Sequence, residues 1–179
     1  DESALNAPQG ISGDGSTVVG TWYGTPRQAF RSAGPWSAAG APHETLPDLE
    51  GGGERANAID VSSDGTVVVG VSESELGDQA FRWTADEGTS PLGYLTGGTR
   101  SQAQAVSADG NTVVGWSWVP GGTEAFRWTP AEGMVGLGDL FGGEFRSIAT
   151  DVSADGRRIV GVSKSGLANQ FEAFFWQPA

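Results

Sequence analysis

Carboxylates in this chain recur at fixed places, and a carboxylate can hold a cation or move a proton. Asp14, Asp64, Asp109 and Asp155 each stand in the pattern Ser-x-Asp-Gly: Ser12-Gly13-Asp14-Gly15, Ser62-Ser63-Asp64-Gly65, Ser107-Ala108-Asp109-Gly110 and Ser153-Ala154-Asp155-Gly156. Oxygen-rich loops bind Ca²⁺, but such a site takes about six to eight oxygens. Each loop here offers one carboxylate followed by a glycine, a pairing that a tight turn itself demands. These aspartates are therefore predicted to be structural repeat positions, and no metal or other cofactor is expected.

Arg31, Arg82 and Arg127 recur in the same way, within Ala29-Phe30-Arg31-Ser32, Ala80-Phe81-Arg82-Trp83 and Ala125-Phe126-Arg127-Trp128. They could line a ring that binds anions, but Phe175 takes the same place in Ala173-Phe174-Phe175-Trp176 and would break it. A guanidinium that pairs with a repeat Asp, or caps backbone carbonyls between units, explains the recurrence better. Asp60 and Asp151 are less regular, with Gly10 and Ala105 in the corresponding places. Facing each other across a channel they could share one cation; the preferred reading has them accept backbone N–H groups. The lone His43 lies in a Pro-containing insertion near Glu44 and Asp48, with no nucleophile tied to it by motif. A hydrolase or lyase built on these groups is the weakest of three readings, and the chain is expected not to be an enzyme.

Strictly repeated residues are most simply explained by a shared scaffold, so those that break the pattern are the candidates for ligand binding. They are Trp22, Tyr23, Trp36, Trp116 and Trp118. Trp22 stands where the other units have Ser72, Ser117 and Ser163, and Trp116 where the others have Thr21, Val71 and Val162. Aromatics of this kind stack on sugar rings or fill a partner's groove, or else cover gaps between structural units.

The elements that must position these residues follow from the repeat. After each Asp-Gly comes a β-branched run ending in glycine: Val18-Val19-Gly20, Val68-Val69-Gly70, Val113-Val114-Gly115 and Ile159-Val160-Gly161. Asp-Gly between two such runs signals a hairpin, and the Phe-containing segment reads as a third strand. A fourth is expected in three units only, around Leu46-Pro47-Asp48-Leu49, Leu92-Gly93-Tyr94-Leu95 and Leu137-Gly138-Asp139-Leu140. Frequent glycine and short β-branched blocks exclude helix. The prediction is one all-β domain over 1–179, a four-repeat β-propeller of about four antiparallel strands per repeat with the last blade incomplete. Its units are approximately 1–53, 54–98, 99–143 and 144–179. The alternatives are a β-solenoid or half of a larger propeller.

These motifs resemble those of the extracellular HAF repeat family, whose units read approximately Ala-x-Ala-Val-Ser-x-Asp-Gly-x-x-Val-Val-Gly, then Ala-Phe-Arg-Trp, then Gly-Met-x-x-Leu-Gly-x-Leu. The match runs along nearly the whole chain and is best over 103–114, 125–128 and 133–140; unit one departs, with Ser32 in the Trp place and a longer loop through His43. The resemblance implies a secreted or surface-attached bacterial protein and says little about biochemistry.

Composition bounds the partners. Ten Lys and Arg against 22 Asp and Glu give a net charge of −12, which repels phosphate backbones and anionic lipid, so neither nucleic acid nor membrane insertion is expected. There is no Cys, which excludes disulfides and thiolate metal sites. Residues 1–15 lack the basic start and apolar stretch of a secretory signal, so a mature extracellular segment is expected. The sequence thus predicts a non-catalytic module for macromolecular interaction, with a glycan-binding propeller as the alternative. The partner is a protein or glycan, and the strand edge at 173–176 is a candidate for self-association because the last unit stops before its fourth strand.

Overall fold

The computed structural model describes residues 6–33, 43–166 and 170–178; Trp36 lies outside the described residues. Every regular element among them is a strand. The first four are β1 (Asn6–Ile11), β2 (Thr17–Trp22), β3 (Gln28–Ala33) and β4 (Glu44–Thr45), paired in that order. A second sheet follows in the same order: β5 (Ala56–Val61), β6 (Val67–Ser74), β7 (Gly77–Thr84) and β8 (Gly88–Gly93). Then come β9 (Arg100–Val106), β10 (Val113–Val119), β11 (Gly122–Thr129) and β12 (Gly133–Gly136), and finally β13 (Gly142–Val152), β14 (Ile159–Ser165) and β15 (Phe171–Trp176). Within each group successive strands are antiparallel, and one parallel pairing, Thr123 with Arg146, ties β11 to β13.

The fourth strands lie a little before the expected segments. Glu44–Thr45, Gly88–Gly93 and Gly133–Gly136 pair with the third strands, and only the end of each Leu-x-x-Leu segment bonds to the following unit. The reason is hydrogen bonding. Leu49, Leu95 and Leu140 each donate their N–H to a serine of the following unit, Ser72, Ser117 and Ser163, at 3.0, 3.2 and 2.9 Å, so these N–H groups serve no ladder.

The Ser-x-Asp-Gly turns are closed by their own side chains. Ser12 Oγ donates to Asp14 and accepts the N–H of Thr17, while Asp14 also accepts the Ser16 N–H. The same three bonds recur at Ser62, Ser107 and Ser153. The turn glycines Gly15, Gly65, Gly110 and Gly156 have φ between 69° and 73°, a conformation that a Cβ disfavours. The turns also bond to one another: Gly13 N–H to Ser63 O (2.9 Å), Ser63 N–H to Ala108 O (3.1 Å) and Ala108 N–H to Ala154 O (3.1 Å). One turn type thus shapes each hairpin and sets the spacing between sheets.

Face-to-face packing of the sheets makes three apolar clusters. Val19, Ala58, Val68 and Phe81 sit between the first and second sheets; Val69, Ala103, Val113 and Phe126 between the second and third; Val114, Ala125, Ala149 and Ile159 between the third and fourth groups. A middle sheet is buried on both faces, so its second strand is a continuous β-branched run rather than an alternating one. Adjacent Val68 and Val69 point to opposite clusters. Burial of each large apolar side chain contributes about 1.5–3 kcal/mol.

Candidate binding site

At the ends of the hairpins opposite the Asp-Gly turns, three units converge on a polar pocket of about 230 Å³ with Trp116 in its wall. Trp116 is placed by β10, where it pairs with Gln102 on one side and Ala125 on the other. Arg27 comes from the first unit, Arg55, Glu73 and Asp78 from the second, and Gln102 from the third. An isolated parallel bridge between Arg27 and Arg55 brings the first two units together here.

Arg55, Glu73 and Asp78 have charged partners, while Arg27 has an aromatic one. Arg55 Nε donates to Glu73 Oε2 at 2.9 Å, an interaction that lowers the Glu73 pKa and raises that of Arg55. Asp78 lies 3.9 Å from Arg100. The Arg27 guanidinium stacks 4.6 Å from the centre of the Tyr23 ring and donates to its hydroxyl at 3.4 Å, while its buried Nε has no protein partner. Arg27 and Arg55 also border an adjoining open cleft of about 440 Å³. A flat aromatic wall beside amide, carboxylate and guanidinium groups offers stacking together with several hydrogen bonds, which suits a polyhydroxylated ligand.

Of the other described aromatic candidates, Tyr23 reaches the pocket only through Arg27, and Trp118 and Trp22 do not line it. Trp118 is 52% exposed on the same strand but does not line this pocket. Trp22 is half-buried and closes over its own hairpin: a Cβ on Gly24 would come within 2.4 Å of the Trp22 ring. Ser72, Ser117 and Ser163, in the same repeat place, instead accept the N–H of the preceding unit's last leucine.

A larger cleft of about 800 Å³ opens at the Asp-Gly end, lined by Arg31, Arg82, Trp83, Asp109 and Trp128 among others. Its arginines are engaged with protein. Arg31 Nε donates to Gly65 O and Arg82 Nε to Gly110 O, both at 3.3 Å, so each guanidinium caps the turn carbonyl of the following unit. Arg31 lies over the Trp83 ring and 3.9 Å from Glu44; Arg82 pairs with Glu87 at 3.2 Å. Arg127 pairs with Glu132 and lies over the Trp176 ring, with its Nε buried and without a protein partner.

The repeat aspartates, Asp60 and Asp151 are likewise taken up by backbone and hydroxyl donors, whereas the buried Oδ1 of Asp48 has no protein partner. Hydrogen bonds from Ser12 and Ser16 hold the Asp14 carboxyl down at about 2, and serine and backbone donors lower Asp64, Asp109 and Asp155. Asp60 accepts the Val106 N–H at 2.8 Å, and Asp151 that of Val152 at 2.8 Å. Burial pushes the Asp60 carboxyl up, with the Asp151 charge adding to it. His43 is exposed, its ring edge-on to Phe30 at 5.8 Å, and Asp48 is raised by burial and then by Glu54. Among the described residues no three His, Cys, Asp or Glu side chains are grouped to hold a metal ion.

No protein-family model and no curated protein matches this chain. Solved structures do. TolB from Acinetobacter baumannii superposes over 97% of this chain and 41% of its own, with a TM-score of 0.65 and 13% identity. A protein described as TolB from Agrobacterium tumefaciens gives 97% and 58%, with a TM-score of 0.69 and 19% identity. The fold is that of a β-propeller. Kuenenia stuttgartiensis hydrazine synthase shares it more loosely, over 99% of this chain and 48% of that one, at a TM-score of 0.54 and 11% identity. At these identities the likeness concerns the fold alone. The chain spans about half the length of the propeller proteins it resembles.

Proposed function

We propose that this chain is a non-catalytic β-propeller module that binds a macromolecule at the hairpin end of its sheets, its four units being four blades of an arc. The observation that carries this reading is the Trp116 pocket, an aromatic wall beside charged and amide groups, with lining residues from three successive units. A glycan is the ligand class that the pocket favours, because it combines a stacking face with dense hydrogen-bonding groups. The HAF-like repeat supports a secreted or surface-attached setting, where such ligands occur.

The test is a glycan array followed by titration of the hits against intrinsic Trp fluorescence. A ligand that quenches wild-type fluorescence and binds Trp116→Ala at least tenfold more weakly supports the reading. Binding that ignores Trp116→Ala, or turnover of any arrayed glycan, overturns it.

A further inference from the structure

The boundary between the first two units breaks a charge pattern that the next boundary keeps. Arg55, Arg100 and Arg146 hold one repeat position, each just before the strand partner of Ser72, Ser117 or Ser163. The residue that meets each arginine comes from the preceding unit. Arg27 forms a backbone bridge with Arg55, Asp78 lies 3.9 Å from Arg100, and Thr123 pairs with Arg146. Arg27, Asp78 and Thr123 also share a repeat position, since each precedes the third-strand partner of Trp22, Ser72 or Ser117. The second boundary thus sets a carboxylate against the arginine and the third a hydroxyl, whereas the first sets a second guanidinium.

Two guanidiniums at bridged backbone positions repel each other unless an anion joins them. Glu73 accepts the Nε–H of Arg55 at 2.9 Å, which engages one of that group's five N–H donors. Arg27 is left to Tyr23. Its guanidinium lies 4.6 Å from the ring centre, and among the described residues its acceptor is the Tyr23 hydroxyl at 3.4 Å. The ring holds this guanidinium in place without neutralising it. The nearby carboxylates do not replace a partner: Asp78 is with Arg100, and Glu54, at the edge of the adjoining cleft, is exposed. Arg27 and Arg55 line both the Trp116 pocket and that cleft, so the two spaces meet at the arginine pair.

We propose that this pair selects an acidic glycan, with the carboxylate of a uronic acid held by Arg27 and Arg55 and a sugar ring against Trp116. The proposal rests on the glycan reading given above. A carboxylate offers two oxygens to the paired N–H groups of a guanidinium, and here it takes the place at the first boundary that Asp78 takes at the second. The chain's net charge of −12 repels anions at a distance, so the selection is made on contact and owes nothing to long-range steering.

Calorimetric titration of the full chain with alginate-, pectate- and hyaluronan-derived oligosaccharides, each alongside its carboxyl-reduced form, tests this. The expected result is an acidic oligosaccharide that binds about tenfold or more tightly than its reduced form. Arg27→Gln, and Arg27→Asp as a copy of Asp78, should bring the acidic form down to the affinity of the reduced one, while Trp116→Ala weakens both forms. Unchanged circular dichroism of the two Arg27 variants would show that they fold, and the comparison of acidic with reduced forms in the wild type does not depend on them. Equal binding of the two forms, lost in Trp116→Ala, overturns the acidic selection and leaves the glycan pocket standing. A preference for the acid that survives both Arg27 variants also overturns it. So does a failure of every acidic oligosaccharide to bind, and the glycan reading falls as well only where the array of neutral glycans is blank.

Discussion

The Asp60 carboxylate accepts the backbone N–H of Val106 at 2.8 Å, joining the first strand of one sheet to the first strand of the next. A bulge in β5 between Ala58 and Asp60 directs the side chain this way, and burial raises the carboxyl's pKa. Asp60→Ala leaves the Val106 N–H without its acceptor and is expected to destabilise by about 1–3 kcal/mol. Asp60→Asn keeps an acceptor and removes the buried charge, so it should cost less than the alanine change. Urea unfolding of the two variants at neutral pH makes the comparison; equal losses would mean that the carboxylate's charge, not its acceptor, matters.

The turn aspartates respond to pH in the opposite sense. Asp14, Asp64, Asp109 and Asp155 all have folded pKa values below the ordinary carboxylate value, that of Asp14 about 2. A depressed folded pKa contributes stability that is present above the unfolded value and lost as pH falls through the folded one. Stability should therefore fall between about pH 4 and pH 2. Asp60, with its raised pKa, acts against this trend as its protonation relieves the buried charge. Replacing Asp64 and Asp109 together by Asn should flatten the acid limb of a thermal-melting profile; an unchanged limb would assign acid sensitivity to other groups.

Much of the scaffold could be read from the chain because each structural device recurs as a short motif. Ser-x-Asp-Gly predicts a turn, and the turn forms with its own serine and aspartate as partners. The fourth strands were less legible. Their leucines look like strand residues, but Leu49, Leu95 and Leu140 spend their N–H groups on serines more than 20 residues away, a pairing that local pattern cannot reveal. The same limit hid the pocket. Trp116 stood out as a break in the repeat, yet Arg27, Glu73 and Asp78 follow no repeat pattern, Arg55 recurs as Arg100 and Arg146, and all four meet it only because three units are stacked.

Those serines give a direct test of how units are joined. Ser117 is fully buried, accepts the Leu95 N–H and donates to Arg100 O at 3.1 Å. Ser117→Ala removes both bonds and leaves the buried Leu95 N–H unpaired, an expected loss of about 1–3 kcal/mol. Ser117→Trp, which copies Trp22 into the third unit, should be worse, since no space exists for the ring. Thermal unfolding distinguishes them, and a neutral Ser117→Ala would show that the crossing segment is held by its leucines alone.

Gly70 tests how closely the strands must approach. A Cβ at this position would lie 1.9 Å from the Asn57 carbonyl oxygen in the neighbouring strand, and the repeat-equivalent Gly20, Gly115 and Gly161 meet carbonyls at 2.1, 2.0 and 2.1 Å. These contacts are with backbone, so no side-chain rotation relieves them. Gly70→Ala must push β5 away from β6 and is expected to cost about 2–4 kcal/mol, well above the ~1 kcal/mol typical of a point substitution. Denaturant unfolding that shows no loss would mean the sheet can shift freely at this point.

Arg82 separates a scaffold role from a ligand-binding one. Its Nε caps the Gly110 carbonyl across the sheet boundary, and its other nitrogen pairs with the exposed Glu87 at 3.2 Å. The exposed pair contributes little, about 0–1 kcal/mol, so most of the side chain's effect comes from the capped carbonyl and from its aliphatic stem in the cleft. Arg82→Ala is therefore expected to lower stability by about 1–3 kcal/mol, while Glu87→Ala lowers it by less than about 1 kcal/mol. Lysine cannot reproduce the directed Nε–H, so Arg82→Lys should recover the packing contribution only and fall between wild type and alanine. Equal stabilities for wild type and Arg82→Ala would instead free this guanidinium for a ligand, and the cleft that it lines would become the site to probe with anions.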